Sequence, residues 1–273
     1  MDERTWYLGP LGDLRGLISP DGGVERTVQR YGGVHQALSG ARTMDITGHR
    51  ASYTLPVPAV TPAESRFVEA LHQRTVPGPY RLLDPLSRNR LPRNAALLKP
   101  FTAEVTVTSG GVARSTSAPT GSIGVPVTSL LWSSYSAGAS LALPAVPVLA
   151  DEVLTFSLWI GGSTDITAEL SIAFTGPDGA SLGRATRTAA VTGGSWRHCQ
   201  ITTAAPEGAI AAEVRVAPEA APRVFLAAAQ VEPGEQAGEF DLGGGAPTVV
   251  IDQLERSSPI YPLNDMTLTL LEV

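Results

Sequence analysis

The chain has 273 residues, 43% of them hydrophobic and 17% charged, with a formal net charge of −6. That length holds one large domain or two modest ones, each able to bury a core. The acidic balance excludes bulk attraction to nucleic acid or to an anionic membrane surface, and one cysteine, Cys199, can form neither an intramolecular disulfide nor a cysteine-based zinc site.

The first residues, Met1-Asp2-Glu3-Arg4, lack the basic-then-apolar succession of a signal peptide. Arg42 to Gly48 and Ala51 to Pro56 alternate apolar and polar residues and read as strands. Thr61-Pro62-Ala63-Glu64 then carries a helix start: a capping threonine, proline at the first helical position and glutamate three residues after the cap. Ala63, Phe67, Ala70 and Leu71 recur at helical spacing, Val76-Pro77-Gly78-Pro79 stops the pattern, and the helix is expected over residues 62–74. Pro79 to Pro85 reads as a short strand and turn. Leu86 to Leu98, with Asn89, Pro92 and Asn94, reads as an exit linker.

From Ala95 onward the strand signal is cleanest. The apolar run Leu141 to Ala150 contains Pro144 and Pro147 and is far short of the ~20 residues that cross a membrane, so no membrane partner is expected. Leu154, Phe156, Leu158 and Ile160 point one way, with Thr155, Ser157 and Trp159 opposed. Ile166, Ala168, Leu170, Ile172 and Phe174 repeat the pattern against Thr167, Glu169, Ser171 and Ala173, followed by a Pro177-Asp178-Gly179 turn. Trp196 to Thr202, Ala211 to Val216 and Arg223 to Val231 complete a β-sandwich pattern. Thr248 to Leu254 and Met266 to Leu270 are further strands.

Charge divides along the same seams. Residues 1–94 carry net +3, residues 95–240 net −5 and residues 241–273 net −4. The basic first segment and acidic last segment can pair within one discontinuous domain, 1–94 with 241–273. Residues 95–240 then form an inserted sandwich, and Gly243-Gly244-Gly245 is the expected return hinge.

Motifs for chemistry are sparse. His35, His49, His72 and His198 show no metal-ligand spacing, although His49 follows Asp45 by four in an expected hairpin. His198 and Cys199 are adjacent in a strand, where neighbouring side chains point to opposite faces, so they do not make a nucleophile pair. There is no G-x-S-x-G elbow, no P-loop and no G-x-G-x-x-G before a helix; Gly121-Ser122-Ile123-Gly124 is a loop fragment. Asp151-Glu152 and Glu232/Glu235 sit beside turns and are expected to be solvated there. No catalytic residue, cofactor or metal is assigned, and no enzyme is expected. The aromatic side chains offer more. Trp159, with Glu169, Ser171, His198 and Gln200, is expected to line one face of a sheet, where an indole beside amide and carboxylate groups suits a sugar ring. Trp132 and Tyr135 can do the same from a Ser-rich loop. The alternative is that Trp159 packs under a loop or neighbouring domain.

The segment Gly78-Pro79-Tyr80-Arg81-Leu82-Leu83-Asp84-Pro85-Leu86-Ser87-Arg88-Asn89-Arg90-Leu91-Pro92 resembles minor tail proteins of long-tailed actinobacteriophages, through its Pro-Tyr-x-x-x-Asp-Pro and Asn-x-Leu-Pro elements. Leu154 to Trp159, Ser195-Trp196-Arg197, Ala229-Gln230-Val231-Glu232-Pro233-Gly234 and Glu239-Phe240 resemble a jelly-roll, carbohydrate-binding-like module of tail and fibre proteins. The two-part plan is similar to phage distal tail proteins, which pair a tube-like β domain bearing one helix with a galectin-like sandwich. The resemblance implies a mainly β protein and a virion tail-tip component, made in the host cytoplasm. It further implies a homo-oligomeric ring, commonly a hexamer, between tail tube and tail-tip or hub proteins. Ring contacts would involve residues 1–60 and 241–273. A peripheral receptor- or glycan-binding tail protein that contacts cell-wall polysaccharide is the alternative.

Overall fold

The computed structural model describes residues 5–17, 23–37, 39–44, 48–119, 128–219 and 223–273. In chain order the elements are β1 (Trp6–Pro10), β2 (Arg15–Leu17), β3 (Glu25–Tyr31), β4 (Val34–Gln36), β5 (Arg42–Met44), β6 (Gly48–Val60), α1 (Pro62–His72) and β7 (Tyr80–Leu83). There follow α2 (Arg93–Ala96), β8 (Thr106–Val107), β9 (Gly111–Ser115), β10 (Ser129–Ser133), β11 (Leu141–Ala142), β12 (Val146–Pro147), β13 (Val153–Gly162), β14 (Ile166–Thr175) and β15 (Ser181–Val191). Last come β16 (Trp196–Ala204), β17 (Ala211–Pro218), β18 (Arg223–Pro233), β19 (Thr248–Ile260) and β20 (Leu263–Glu272). The chain is mainly β and divides into two units. One comprises the residues up to Leu82 with Pro247–Val273, and the other is Leu83–Ala246.

The discontinuous unit is a seven-stranded sheet in the order β2-β1-β7-β19-β20-β6-β3, with α1 packed on β19 and β20. Strand β6 alternates as a half-buried strand must: Ala51, Tyr53, Leu55 and Val57 face the core with Trp6, Leu8, Leu268 and Leu270. Its Pro56 and Pro58 are tolerated because, among the described residues, pairing with β3 ends at Thr54, so no described ladder is broken by the prolines on that side of β6. Helix α1 starts as its sequence dictates. The Thr61 hydroxyl accepts from Glu64 N–H (3.3 Å), and the Glu64 carboxylate accepts from Thr61 N–H (2.8 Å). The helix ends two residues before the expected 74, since Gln73 caps it and Arg74 turns left-handed (φ 57°). Its buried stripe is Ser65, Phe67, Val68 and Leu71; Ala63 is exposed, so the face is rotated from the expected one. Of the strand expected from Arg42 to Gly48, β5 covers Arg42–Met44 and pairs with β4, while residues 45–47 lie outside the described residues. Asp45, the expected partner of His49, lies outside the described residues, and His49 instead sits opposite Arg30 on β3.

The continuous unit is a jelly roll. Its strand pairs are nested about the β14–β15 hairpin: β14 with β15, β13 with β16, β11 and β12 with β17, and β10 with β18. This long folded hairpin rolls over so that β13 also meets β18 and β14 meets β17. The outcome is a five-stranded sheet, β16-β13-β18-β10-β9, and a second sheet, β15-β14-β17-β11-β8, with β12 beside β17. Leu130, Phe156, Leu158 and Ile160 from one sheet meet Leu170, Ile172, Val214 and Val216 from the other, all fully buried.

The division falls at 82/83 and 246/247, not at 94/95 and 240/241. The expected linker, residues 86–98, is part of the sandwich. Leu91, Ala95, Ala96 and Leu98 join its core. Asn89 is fully buried: its amide donates to Ala229 O (3.0 Å) and Asp241 O (2.9 Å), and its carbonyl oxygen accepts from Leu91 N–H (3.2 Å) and Val231 N–H (3.1 Å). Arg90 makes a two-pronged pair with Glu152, both bonds 2.5 Å, with the side chains 6% and 1% exposed. Gly243-Gly244-Gly245 is not a hinge. Gly244 N–H donates to Leu91 O (2.7 Å) and Gly245 N–H to Asn89 O (2.9 Å), and a Cβ on Gly245 would stand 2.0 Å from Ser87 O. The glycines allow two backbones to run in contact.

Candidate functional site

The outer surface of the five-stranded sheet is split into two halves. On β13 the outward positions are Thr155, Ser157, Trp159 and Gly161, opposite Thr202, Gln200, His198 and Trp196 on β16. Over the first two of these positions lies a strap, residues 234–241. Gly234 O accepts from the Thr155 hydroxyl (2.7 Å), and Glu235 O accepts from Thr202 (3.1 Å). Ala237 N–H donates to Gln200 (3.3 Å), Gly238 N–H to the Glu232 carboxylate (2.7 Å) and Asp241 N–H to the Gln230 carbonyl (2.8 Å). Thr155, Ser157, Gln230 and Glu232 are consequently buried although they point away from the core. Glu152 and Glu232, expected to be solvated at turns, are both buried and hydrogen-bonded.

The other half is an open aromatic strip. A bulge sets its composition: Ser157 faces Gln230, but Trp159 faces Ala227, so an extra residue enters β18 where Ala228 takes a left-handed φ of 54°. Gln230 and Glu232 point outward before the bulge and Ala227 and Phe225 after it, while Val224, Leu226, Ala229 and Val231 stay in the core. Bulges re-aim side chains in this way beside functional sites. Across the strands one row is Trp196–Gly161–Phe225–Leu131, and the next is His198–Trp159–Ala227.

Trp196 and Phe225 flank Gly161 with ring centroids 6.2 Å apart. A Cβ on Gly161 would lie 2.9 Å from the indole of Trp196, so only glycine lets that ring lie against the strand. Trp159 and His198 stack at 5.1 Å with 27° between planes. Trp159, Trp196, Phe225 and Leu131 are half-buried and His198 is exposed. Three inter-strand spacings of about 4.8 Å make the strip about 14 Å long, the length of a short oligosaccharide. Partial desolvation lowers the pKa of the His198 imidazole, which favours the neutral ring.

The structure therefore brings Trp159, His198 and Gln200 onto one face and separates the rest of the expected group. Glu169 and Ser171 lie on β14 of the opposite sheet, where Arg184 bonds both (2.8 and 2.9 Å). Alternation within β14 predicts that they point outward, but not from which sheet. Trp132 is fully buried in the core, its indole N–H donating to Ser109 O (2.9 Å), and it offers no face to a ligand. Tyr135 packs on Trp132 at 4.8 Å, with its hydroxyl donating to Glu219 O (3.2 Å). Cys199 faces the core, away from His198, and desolvation raises its thiol pKa despite nearby Arg197 and Arg187. Trp196, Phe225 and Leu131 were not singled out as site residues from the sequence. Trp196 carried a signal, as an aromatic two residues before His198 on the same face of β16. Phe225 carried none, because the bulge reverses its facing.

Among the described residues no cluster of His, Cys, Asp and Glu can hold a metal ion, and no helix is long and apolar enough to cross a membrane. No protein-family model and no curated protein matches the sequence. Solved structures match the fold at low identity. The enzymatically active domain of tailspike protein 4 of bacteriophage CBA120 aligns at TM-score 0.43 and 15% identity, over 54% of this chain and 21% of that one. The C-terminal family 22 carbohydrate binding module of Clostridium thermocellum Xyn10B aligns at 0.41 and 15%, over 52% of this chain and 94% of that one. TmCBM61, solved with β-1,4-galactotriose, aligns at 0.40 and 20%, over 54% of this chain and all of that one. The match thus spans about a fifth of the tailspike chain and nearly the whole of the two binding modules.

Proposed function

We propose that this chain is a glycan-binding phage tail protein whose jelly roll recognises host-envelope polysaccharide through the open aromatic strip. The observation that carries the reading is the pairing of Trp196 with Phe225 over Gly161, beside Trp159 on His198. Half-exposed aromatic faces in a row stack on the apolar faces of successive sugar rings, and their placement on strands fixes them in advance of binding. The tail assignment rests on the resemblance of Gly78 to Pro92 to minor tail proteins, and the proposal assigns the chain no catalytic step. Tryptophan fluorescence during titration with polysaccharide from actinobacterial cell walls tests it. A saturable change is expected, and Trp196→Ala should weaken binding at least tenfold without lowering the unfolding midpoint. No change at high polysaccharide concentration, or an unaffected variant, overturns it.

A second role, assembly into a ring between tail tube and tail tip, is favoured by a separate observation. Strand β3 ends the seven-stranded sheet and exposes Val28 (42%) and Tyr31 (49%). Open strand edges offer backbone N–H and C=O groups to another chain, and ring closure removes such edges. Light scattering followed by electron microscopy should find closed rings of fixed subunit number. A particle that stays monomeric at every concentration, alone and with its tail partners, overturns this reading.

A further inference from the structure

At the border of the aromatic strip the two sheets meet edge to edge, β15 of one beside β16 of the other. Two arginines cross this seam in opposite directions. Arg187 on β15 donates from Nη1 to Gln200 O on β16 (3.0 Å), and Arg197 on β16 donates from Nη1 to Ala190 O on β15 (2.5 Å). Each bond fixes the position of a guanidinium and leaves most of its five N–H donors uncommitted. Both side chains are exposed, and among the described residues neither meets a carboxylate within ion-pair distance, whereas Arg184 and Arg215 are paired with Glu169 and Glu213. Trp196 and His198, the strip residues of β16, flank Arg197 in sequence and point to the other side of the same strand. A polymer lying across the strands along the strip, from Leu131 and Phe225 to Trp196, leaves the sheet over the β16 edge and meets these two guanidinium groups.

We infer that the ligand of the strip is an anionic polysaccharide, its carboxylates or phosphodiesters held by Arg187 and Arg197 at the seam while its sugar rings stack on Trp196, Phe225 and Trp159. This rests on the glycan-binding reading and adds the charge class. Preheld guanidinium groups suit both anions, because their planar fork matches carboxylate and phosphate geometry.

The test compares oligogalacturonate with the same oligosaccharide fully methyl-esterified, and adds a glycosyl-phosphate polymer, whose sugar rings are joined by phosphodiesters, as the phosphodiester probe. Binding to the full chain is measured at low salt and at 1 M salt. An anionic probe should bind more tightly than the neutral ester at low salt. The Arg187→Gln/Arg197→Gln double variant should lose about tenfold in affinity for that probe, as two exposed charge contacts imply, and nothing for the neutral ester. The preference should vanish at 1 M salt, where the screening length is about 3 Å. Whichever of the two anions shows this pattern identifies the carboxylate or phosphodiester source. Equal binding of neutral and anionic probes, or an unaltered double variant, overturns the inference and leaves the glycan reading standing. Loss of Trp196 without effect on any probe or on the wall polysaccharide overturns the glycan reading itself.

Discussion

Replacing Arg90 by methionine removes a guanidinium whose partner, the Glu152 carboxylate, is 1% exposed. Methionine retains much of the aliphatic stem, so the perturbation is mainly electrostatic. Glu152 keeps one hydrogen bond, from Leu149 N–H at 3.1 Å, and loses both charge-assisted bonds at 2.5 Å. A buried carboxylate stripped of its counter-ion costs about 3–5 kcal/mol. With a urea slope near 2 kcal/mol per molar for a unit of this size, the sandwich midpoint should fall by about 2 M. Arg90→Met/Glu152→Leu removes the uncompensated charge and should recover at least about 2 kcal/mol of that loss, short of full recovery because Leu149 N–H then lacks its acceptor. The two units can unfold separately, so urea unfolding is best followed by hydrogen exchange resolved to segments. Residues 84–98 and the sandwich strands should lose protection together, and the sheet that holds Trp6 should be unaffected. A midpoint shift below about 0.5 M, or a double variant as unstable as the single one, refutes the reasoning that this pair clasps residues 84–98 onto the sandwich.

Three further outcomes follow from the same geometry. Gly245→Ala places a methyl 2.0 Å from Ser87 O, backbone on both sides, and should destabilise the sandwich by about 2 kcal/mol or more in the same urea assay; a neutral substitution would show that the crossing is slack. Because burial raises the Cys199 pKa, native protein should react with a thiol reagent far more slowly at pH 8 than urea-unfolded protein. A thiol held above its unfolded pKa supports the fold below the ordinary value of about 8.5 and withdraws that support as pH rises past it, so Cys199→Ser should flatten the alkaline fall in stability. For His198 the sign is opposite. A folded pKa below about 6.5 is stabilising above that value, and the contribution is lost as pH falls toward the folded pKa. An NMR titration of the ring should give a midpoint under 6.5 that rises in Trp159→Ala; an ordinary midpoint in both proteins contradicts the desolvation described.

Where the chain obeys a period, the sequence was legible. The α1 capping box, the opposed faces of β13 and β14 and the lone buried thiol follow from local rules, because each depends on residues within a turn or a strand of one another. The discontinuous plan was legible from strands on both flanks but not from charge, because Arg88, Arg90 and Arg93, which make the first segment basic, belong to the sandwich. Three things were not. Asn89 and Arg90 sit among Pro and Ser in a segment with no period, and what makes them structural is six side-chain bonds to residues more than 50 positions away. Gly243 to Gly245 carry the composition of a hinge, and only the opposing backbone of Ser87 to Leu91 reveals a contact. Glu169 was grouped with Trp159 because alternation gives facing within a strand and is silent on which sheet that strand joins.

The bulge at Ala228 joins these failures to the site. On either side of it β18 serves two tasks on one outer surface. Gln230 and Glu232 offer amide and carboxylate groups that hold the strap, while Phe225 supplies a ring to the strip. An unbroken alternation through Gln230 would point Leu226 outward and bury Phe225, and Trp196 would face an aliphatic residue across Gly161. The extra residue thus lets a strand with one hydrophobic code close its polar half under 234–241 and open its aromatic half to solvent. Ala suits that position sterically better than a bulky or branched residue would, since its left-handed φ disfavours anything with a crowded Cβ. The strip is aromatic where the strap ends, and the strap ends where the bulge lies; the open site is the part of the sheet that the fold leaves uncovered.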